Sequence, residues 1–364
     1  MTWTGLGPDT EFIVWSAVKI LCVFGVLMTG VAYSVLAERK VSAFIQNRQG
    51  PNRVKMPLIG SIPVLGPFLT RLGVWHPLVD GVKSFMKEDF TPNYVRKVYF
   101  WLAPAIVLIP SLLTIAVIPF GSSIQGVPLV IANLNVGILY TFGIVSLGVY
   151  GIVLAGYAAN SKYPFLGGIR SSAQMISYEI SMGLSVIPVF MFVGNLNLNS
   201  VVEYQTGSVF HWLIFQQPVS FVVFLVAAFA ETNRQPFDLA ECETELVAGY
   251  NTEYSSMKFA LFFMGEYANM IASAAMITTL FLGGWTLPFG GLDQHHDGGF
   301  VFGLISIAIF MAKVAALMLL FIWVRWMLPR FRYDQLMDLG WKRFLPLTLA
   351  NILFYAVWMF IFRK

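Results

Sequence analysis

The chemically capable side chains crowd into one stretch, AETNRQPFDLAECETELVAGYNTEY, residues 230–254. Six carboxylates stand there, Glu231, Asp238, Glu241, Glu243, Glu245 and Glu253, against one base, Arg234. Acids this close disfavour ionising all together, so some are expected to hold their protons more firmly than usual. A helix over 238–246 would place Asp238, Glu241 and Glu245 on one stripe, at a cost of about 0.2–0.5 kcal/mol per like-charged pair. Asn233 to Pro236 predicts a turn and a helix start, with Pro236 near the first helical position. A solvated acidic loop is the bland alternative. Against it stand the interleaved Phe237, Leu239, Leu246, Val247 and Tyr250, which make the segment amphipathic and fit packing against protein or headgroups.

Two more acids sit inside apolar runs: Glu179 in SAQMISYEISMG and Glu266 in FALFFMGEYANM. An acid at membrane depth costs ~2.5 kcal/mol or more and faces a bundle interior or a watery path. Each is either a structural hydrogen-bonded carboxyl or a proton carrier. Lys313, in IFMAKVAAL, is a possible counter-charge or a structural lysine, and Lys19 has the reach to snorkel. A third constellation is LAERKVSAFIQNRQGPNRV, residues 36–54. Arg48 and Arg53 flank the turn signal Gly50-Pro51-Asn52. Positive-inside anchoring accounts for the charge there. It does not account for Phe44 and Gln46 beside the arginines, which fit a polar and aromatic pocket entrance.

These residues must be held by membrane helices. The chain has 364 residues, 57% hydrophobic and 12% charged, about half the charge of a soluble domain. Windows of ~20 apolar residues cross a ~30 Å hydrocarbon core as helix. The expectation is therefore an all-α polytopic membrane protein, with residues 1–364 forming one membrane domain. Eight spans are predicted: 12–37, 98–120, 136–158, 173–193, 212–230, 257–283, 300–324 and 343–362. Pro188 and Pro218 predict local kinks in the fourth and fifth. Within the first connecting segment, VDGVKSFMKEDF predicts a short amphipathic helix in the interface.

The segments 38–97, 159–172, 231–258 and 325–343 hold nineteen of the 23 Lys and Arg residues. The alternate loops 121–135, 194–211 and 284–299 hold none. The base-bearing side is thus expected in the cytoplasm, with both termini opposite. This asymmetry explains the basic balance without a nucleic-acid partner. The N-terminus lacks the basic region of a cleaved signal, so the first span is expected to be retained. Two cysteines and four histidines, two of them adjacent in a loop (His295 and His296), argue against haem, metal or an iron–sulfur cluster bound by this chain alone.

ERKVSAFIQNRQGPNRV and ETNRQPFDLAECETELVAGYNTEYSSMKFALFFMGEY closely resemble the H-subunit family of bacterial NADH:quinone oxidoreductase, respiratory complex I, whose mitochondrial counterpart is subunit 1. The resemblance spans most of the chain. It implies an eight-span inner-membrane protein that closes the membrane side of a quinone chamber and couples quinone reduction to proton movement. It assigns Arg39, Phe44 and Arg48 to the quinone entrance and Asp80, in HPLVDGVKSF, to a short interfacial helix. Arg234 and Asp238 fall beside the chamber. Glu241, Glu243, Glu245 and Glu253 fall in the acidic loop below it, and Glu179 and Glu266 are the intramembrane glutamates. Quinone is then the substrate, while NADH, FMN and iron–sulfur clusters belong to partner subunits of the hydrophilic arm, beside further membrane-arm partners. The sequence departs from the pattern after NRV, where MPLIGSIPVLGPFLTRLGVW reads as an insertion, and at Cys242, a small buried residue or a reactive thiol. Two other readings compete: a homologous anchor subunit of a membrane-bound hydrogenase-type complex, and a free-standing ion transporter, for which an internal repeat is lacking.

Overall fold

A computed structural model of the chain describes residues 8–54, 65–124, 127–239, 243–287 and 299–362. The described residues are helical apart from turns, loops and one hairpin, β1 (Ser123–Ile124) with β2 (Val127–Pro128). Among them, seven helical runs are long and apolar enough to cross a membrane. The first is α1 (Pro8–Ile45). At 1.5 Å per residue it is about 57 Å long, so it outruns a ~30 Å core and carries Glu38, Arg39 and Phe44 beyond it on the same rod. Asn47, with φ 50°, ends it in the left-handed conformation, and Arg48 N–H donates to Ala43 O at 2.8 Å. Two short helices follow, α2 (Leu65–Leu72) and α3 (His76–Met86). The first forms in the stretch read as an insertion. The second is the expected interfacial helix, and none of its residues is buried.

The bundle proper begins with α4 (Lys97–Leu113), which packs on α5 (Gly137–Ala158). That helix packs on α6 (Lys162–Val193), which starts eleven residues before the expected fourth span and runs on through Pro188. Small residues let α5 and α6 approach closely. A Cβ on Gly156 would lie 2.6 Å from Pro164 O and 3.3 Å from Gly168 Cα.

The fifth span is broken rather than kinked. After α7 (Leu198–Tyr204) come α8 (Leu213–Gln216) and α9 (Pro218–Glu231). Pro218 has no N–H to donate and stands where a helix start needs none. α9 has 14 residues, about 21 Å of helix, short of a full hydrocarbon crossing. Buried amides satisfy the backbone at such breaks. Gln217 Nε2 donates to Pro188 O at 2.9 Å, and Gln205 Oε1 accepts from Leu213 N and Gly283 N at 3.2 and 3.0 Å.

After the four-residue α10 (Glu243–Leu246), α11 (Ser256–Phe281) runs through the middle of the molecule, against α1, α4 and α9. α12 (Phe300–Met327) lies against α1 and α11. α13 (Tyr333–Asp338) passes through a π-helical turn, Leu339–Phe344, into α14 (Leu345–Phe362). Polar bonds pin these last helices to the bundle: Tyr178 Oη donates to Leu336 O at 2.9 Å and Asn351 Nδ2 to Ser220 Oγ at 2.9 Å.

Candidate functional site

The turn after α9 makes the centre of the site. Asn233, at φ 49°, reverses the chain and brings Arg234 back among the helices. Arg234 is 4% exposed. Its Nη1 is 3.5 Å from Glu38 Oε2 on α1, and its Nη2 is 3.3 Å from Glu266 Oε2 on α11. Its guanidinium lies 4.3 Å over the Tyr267 ring, within cation–π range. Glu38 is shared further: Arg325 Nη1 on α12 approaches its Oε1 at 2.5 Å, and Tyr267 Oη donates to its Oε2 at 2.5 Å. Tyr250 Oη donates to Glu266 Oε1 at 2.9 Å. Two arginines thus face two glutamates across three helices. Such balance is what offsets the desolvation of buried charge.

A second acid cluster starts one turn back along α9. Glu231 is 1% exposed, and neither carboxyl oxygen has a hydrogen-bond partner among the described residues. It borders a cavity of about 30 Å³ lined also by Asn233, Tyr250, Glu266, Asn269 and Ser111. That volume holds a water. Glu231 is also within electrostatic reach of Glu179. Glu179 is half-buried on α6 and accepts a short hydrogen bond from Ser146 Oγ on α5. Glu38, Glu266, Glu231 and Glu179 therefore form a file from the end of α1 to the middle of α5 and α6.

The rest of the acidic stretch departs from the expected helical stripe. Asp238 lies before any helix, buried, with its carboxylate 3.1 Å from Arg330 Nη2. Phe237 stacks on Phe331 at 5.3 Å, and Phe331 N–H donates to Pro236 O at 3.0 Å. These contacts tie residues 236–238 to the loop after α12, so the chain there follows its neighbour rather than a helix axis. Glu241 and Cys242 lie outside the described residues, and Glu243 is placed only by its backbone in α10. Glu245 pairs with Arg170 of α6 at 2.5 Å, half exposed.

The far end of the stretch is clamped to the segment leading into α4. Tyr94 Oη donates to Glu253 at 2.6 Å, and that bond holds the Tyr94 phenol above its ordinary range. Ser256 Oγ donates to Ser84 O and Lys87 O at 3.0 and 2.8 Å. Lys258 Nζ reaches Asp89 at 3.0 Å and Thr91 Oγ1 at 2.7 Å. Tyr254 is buried between Phe100, stacked at 4.0 Å, and Phe262. Burial raises its phenol too.

The third constellation opens a polar pocket of about 790 Å³ walled by Glu38, Arg39, Arg48, Arg53, His76 and Trp326, among others. Arg39 pairs with Asp80 of α3 at 2.7 Å. Arg48 donates to Gln46 Oε1 at 2.6 Å. Phe44 is 78% exposed on the outside of α1. Arg39 and Arg48 line one pocket, Asp80 joins it through Arg39, and Phe44 is not part of the pocket wall. Lys313 donates to the carbonyls of Leu282, Gly284 and Thr286 at 2.7, 3.0 and 2.6 Å, closing the end of α11. Lys19 donates to Pro128 O and Val130 O at 2.8 and 3.1 Å rather than snorkelling. No group of three or more His, Cys, Asp or Glu converges as a metal site among the described residues.

Sequence reasoning counted Glu231 among the clustered acids and Tyr250 among the packing residues, and gave no site role to Glu38, Tyr267 or Arg325. A signal existed for the two glutamates: Glu231 ends an apolar run, and Glu38 precedes the first bases. Nothing local marks the tyrosines, whose roles come from the helices they meet.

The family model described as NADH dehydrogenase matches residues 18–356. A Geobacter metallireducens protein, named as an H subunit of NADH-quinone oxidoreductase, is 48% identical over 339 residues, 92% of this chain and 93% of its own. A Geobacter sulfurreducens protein, also named as an H subunit of NADH-quinone oxidoreductase, is 47% identical over 94% and 96% of the two chains. The one from Cytophaga hutchinsonii is 43% identical over 97% and 98%. With matches this long running through both arginine- and glutamate-bearing motifs, the chain belongs to the NADH dehydrogenase family of multi-pass membrane proteins, in the group of NADH-quinone oxidoreductase H subunits.

Proposed function

We propose that this chain closes the membrane side of the quinone chamber of an NADH-quinone oxidoreductase and relays the charge changes of quinone reduction to a file of carboxylates. The observation that carries the reading is the double membership of Glu38. It walls the 790 Å³ pocket and, through Arg234, meets Glu266 of the buried file. Reducing a quinone to a quinol consumes two electrons and two protons. The electrons reach it from NADH by way of FMN and iron–sulfur clusters in the hydrophilic-arm partners. Protons drawn from groups beside the quinone leave charge behind. Arg234, held between Glu38 and Glu266, transmits it, because neutralising one carboxylate hands more of the guanidinium to the other.

From Glu266 the path runs through the cavity to Glu231 and then Glu179, whose half-buried place on α6, facing α5, suits a hand-over to a membrane-arm partner. Arg39, Arg48 and Asp80 frame the quinone entrance at the end of α1, and Phe44 meets the bilayer beside it. Asp238, Glu243, Glu245 and Glu253, with Glu241, make the floor under the chamber. The base-bearing segments face the cytoplasm and both termini the periplasm, with the chain in the inner membrane.

The test is Glu231→Gln and Glu179→Gln in the assembled complex, reconstituted in liposomes. Proton pumping per NADH oxidised falls at least several-fold while the protein composition of the purified complex is unchanged. Normal pumping and normal quinone reductase turnover in both variants would remove them from the path.

A further inference from the structure

We infer that the arginine pocket at the end of α1 is also a binding site for an anionic phospholipid, its phosphate taken by Arg48 and Arg53. This rests on the reading of the pocket as lying at a membrane interface and adds a second ligand to it. The argument is a count of partners. Of the carboxylates at the pocket, Glu38 is already engaged by Arg234, Arg325 and Tyr267, and Asp80 by Arg39. Arg48 and Arg53 both line the pocket, both are exposed, and neither has a carboxylate partner among the described residues. Two guanidiniums on either side of a Gly50-Pro51-Asn52 turn make a fork suited to a phosphodiester, which they can bind with paired N–H donors.

The surroundings choose the source of that phosphate. α1 is the membrane rod, and Trp326 on the pocket wall is the residue type that settles at headgroup depth. The helix formed in the inserted stretch, α2, abuts this pocket. Lys40 Nζ donates to Arg71 O at 3.0 Å, and the turn after α2 is so close that a Cβ on Gly73, at φ +75°, would lie 2.3 Å from Pro51 O. α2 leaves Phe68 and Leu72 exposed, and α3 leaves Leu78, Val82 and Phe85 exposed at helical spacing. Arg71, Lys83 and Lys87 are exposed among them. An apolar edge with interspersed bases, beside an arginine fork, fits acyl chains and an anionic headgroup together.

The experiment uses the whole complex in native membranes, with photoactivatable phosphatidylglycerol and phosphatidylcholine carrying the same acyl-chain diazirine. A photoactivatable quinone is run in parallel. Phosphatidylglycerol labels peptides of residues 65–86 or 323–327 at least fivefold more than phosphatidylcholine does, and Arg53→Gln removes most of that preference. Arg53→Lys restores part of it. Equal labelling by the two lipids, or a preference untouched in Arg53→Gln, overturns the proposal. So does competition by millimolar inorganic phosphate, which would assign the fork to a free anion. Quinone labelling is scored separately: its absence from the pocket counts against the quinone entrance, while lipid selectivity alone decides this inference.

Discussion

At the scale of single residues, Arg234 is where charge and burial meet most sharply. Truncating it leaves Glu38 and Glu266 short of a shared buried partner, and breaking a buried ion pair from one side costs about 3–5 kcal/mol. Arg234→Ala therefore lowers the thermal midpoint of the purified complex or the yield of assembled complex. Arg234→Lys fails to restore quinone turnover, since one ammonium cannot span two carboxylates and a ring as the planar fork does. Tyr254 makes the opposite case. Its hydroxyl is buried with no hydrogen-bond partner among the described residues, and its ring carries the contacts. Tyr254→Phe is expected to be neutral or slightly stabilising, by up to about 1 kcal/mol, in the same melting assay. A clear loss would mean that the hydroxyl is engaged in the assembled complex. Both arguments need the fold, because the sequence shows Arg234 as a lone base among acids and Tyr254 as one aromatic among many.

At the scale of elements, the clamp between residues 84–94 and 253–258 joins the interfacial helix to the end of the acidic stretch. Its Tyr94–Glu253 bond needs the phenol proton. Because that phenol's pKa is raised in the folded protein, the contribution is complete below the ordinary tyrosine value of about 10 and lost as pH climbs through the raised value. Hydrogen exchange of residues 87–96, corrected for its intrinsic pH dependence, should stay slow across the neutral range and quicken only at the alkaline end. Tyr94→Phe should quicken it a few-fold at neutral pH and remove the alkaline dependence, since Ser256 and Lys258 still hold the segment. The α5–α6 crossing is the other element-scale joint. Gly156→Val overfills it by a contact of 2.6 Å to backbone, at a cost of about 1–3 kcal/mol, read as a lower melting point.

Hydropathy made the helices legible. It did not reveal that α9 is short, that α6 starts early or that Asp238 sits outside a helix. Those outcomes go with contacts that hydropathy does not report: Gln217 on Pro188 O, the close approach of Gly156 to Pro164 and Gly168, and Arg330 on Asp238. The candidate acids were legible as residues out of place in apolar runs. Their connection was not, since it runs through contacts of Glu38, Glu231 and two tyrosines with helices distant in the chain.

At the scale of the whole molecule, the base count makes a prediction about sides. Leu196→Cys should react with a membrane-impermeant maleimide in intact spheroplasts, and Lys162→Cys only in inverted vesicles. The reverse pattern would turn the chain over and place the acidic floor outside. The same bundle also has a history in time. Lys19 rests on carbonyls 109 and 111 residues further along. At ordinary synthesis rates those acceptors emerge roughly five to twenty seconds later. During that interval the ammonium of a nascent α1, close to the start of the helix, has only interfacial water and headgroups to solvate it. The first helix to leave the ribosome thus lacks this tie until α4 and the hairpin after it have been made. Lys19→Leu removes that requirement and should let α1 settle in the bilayer at shorter nascent-chain lengths.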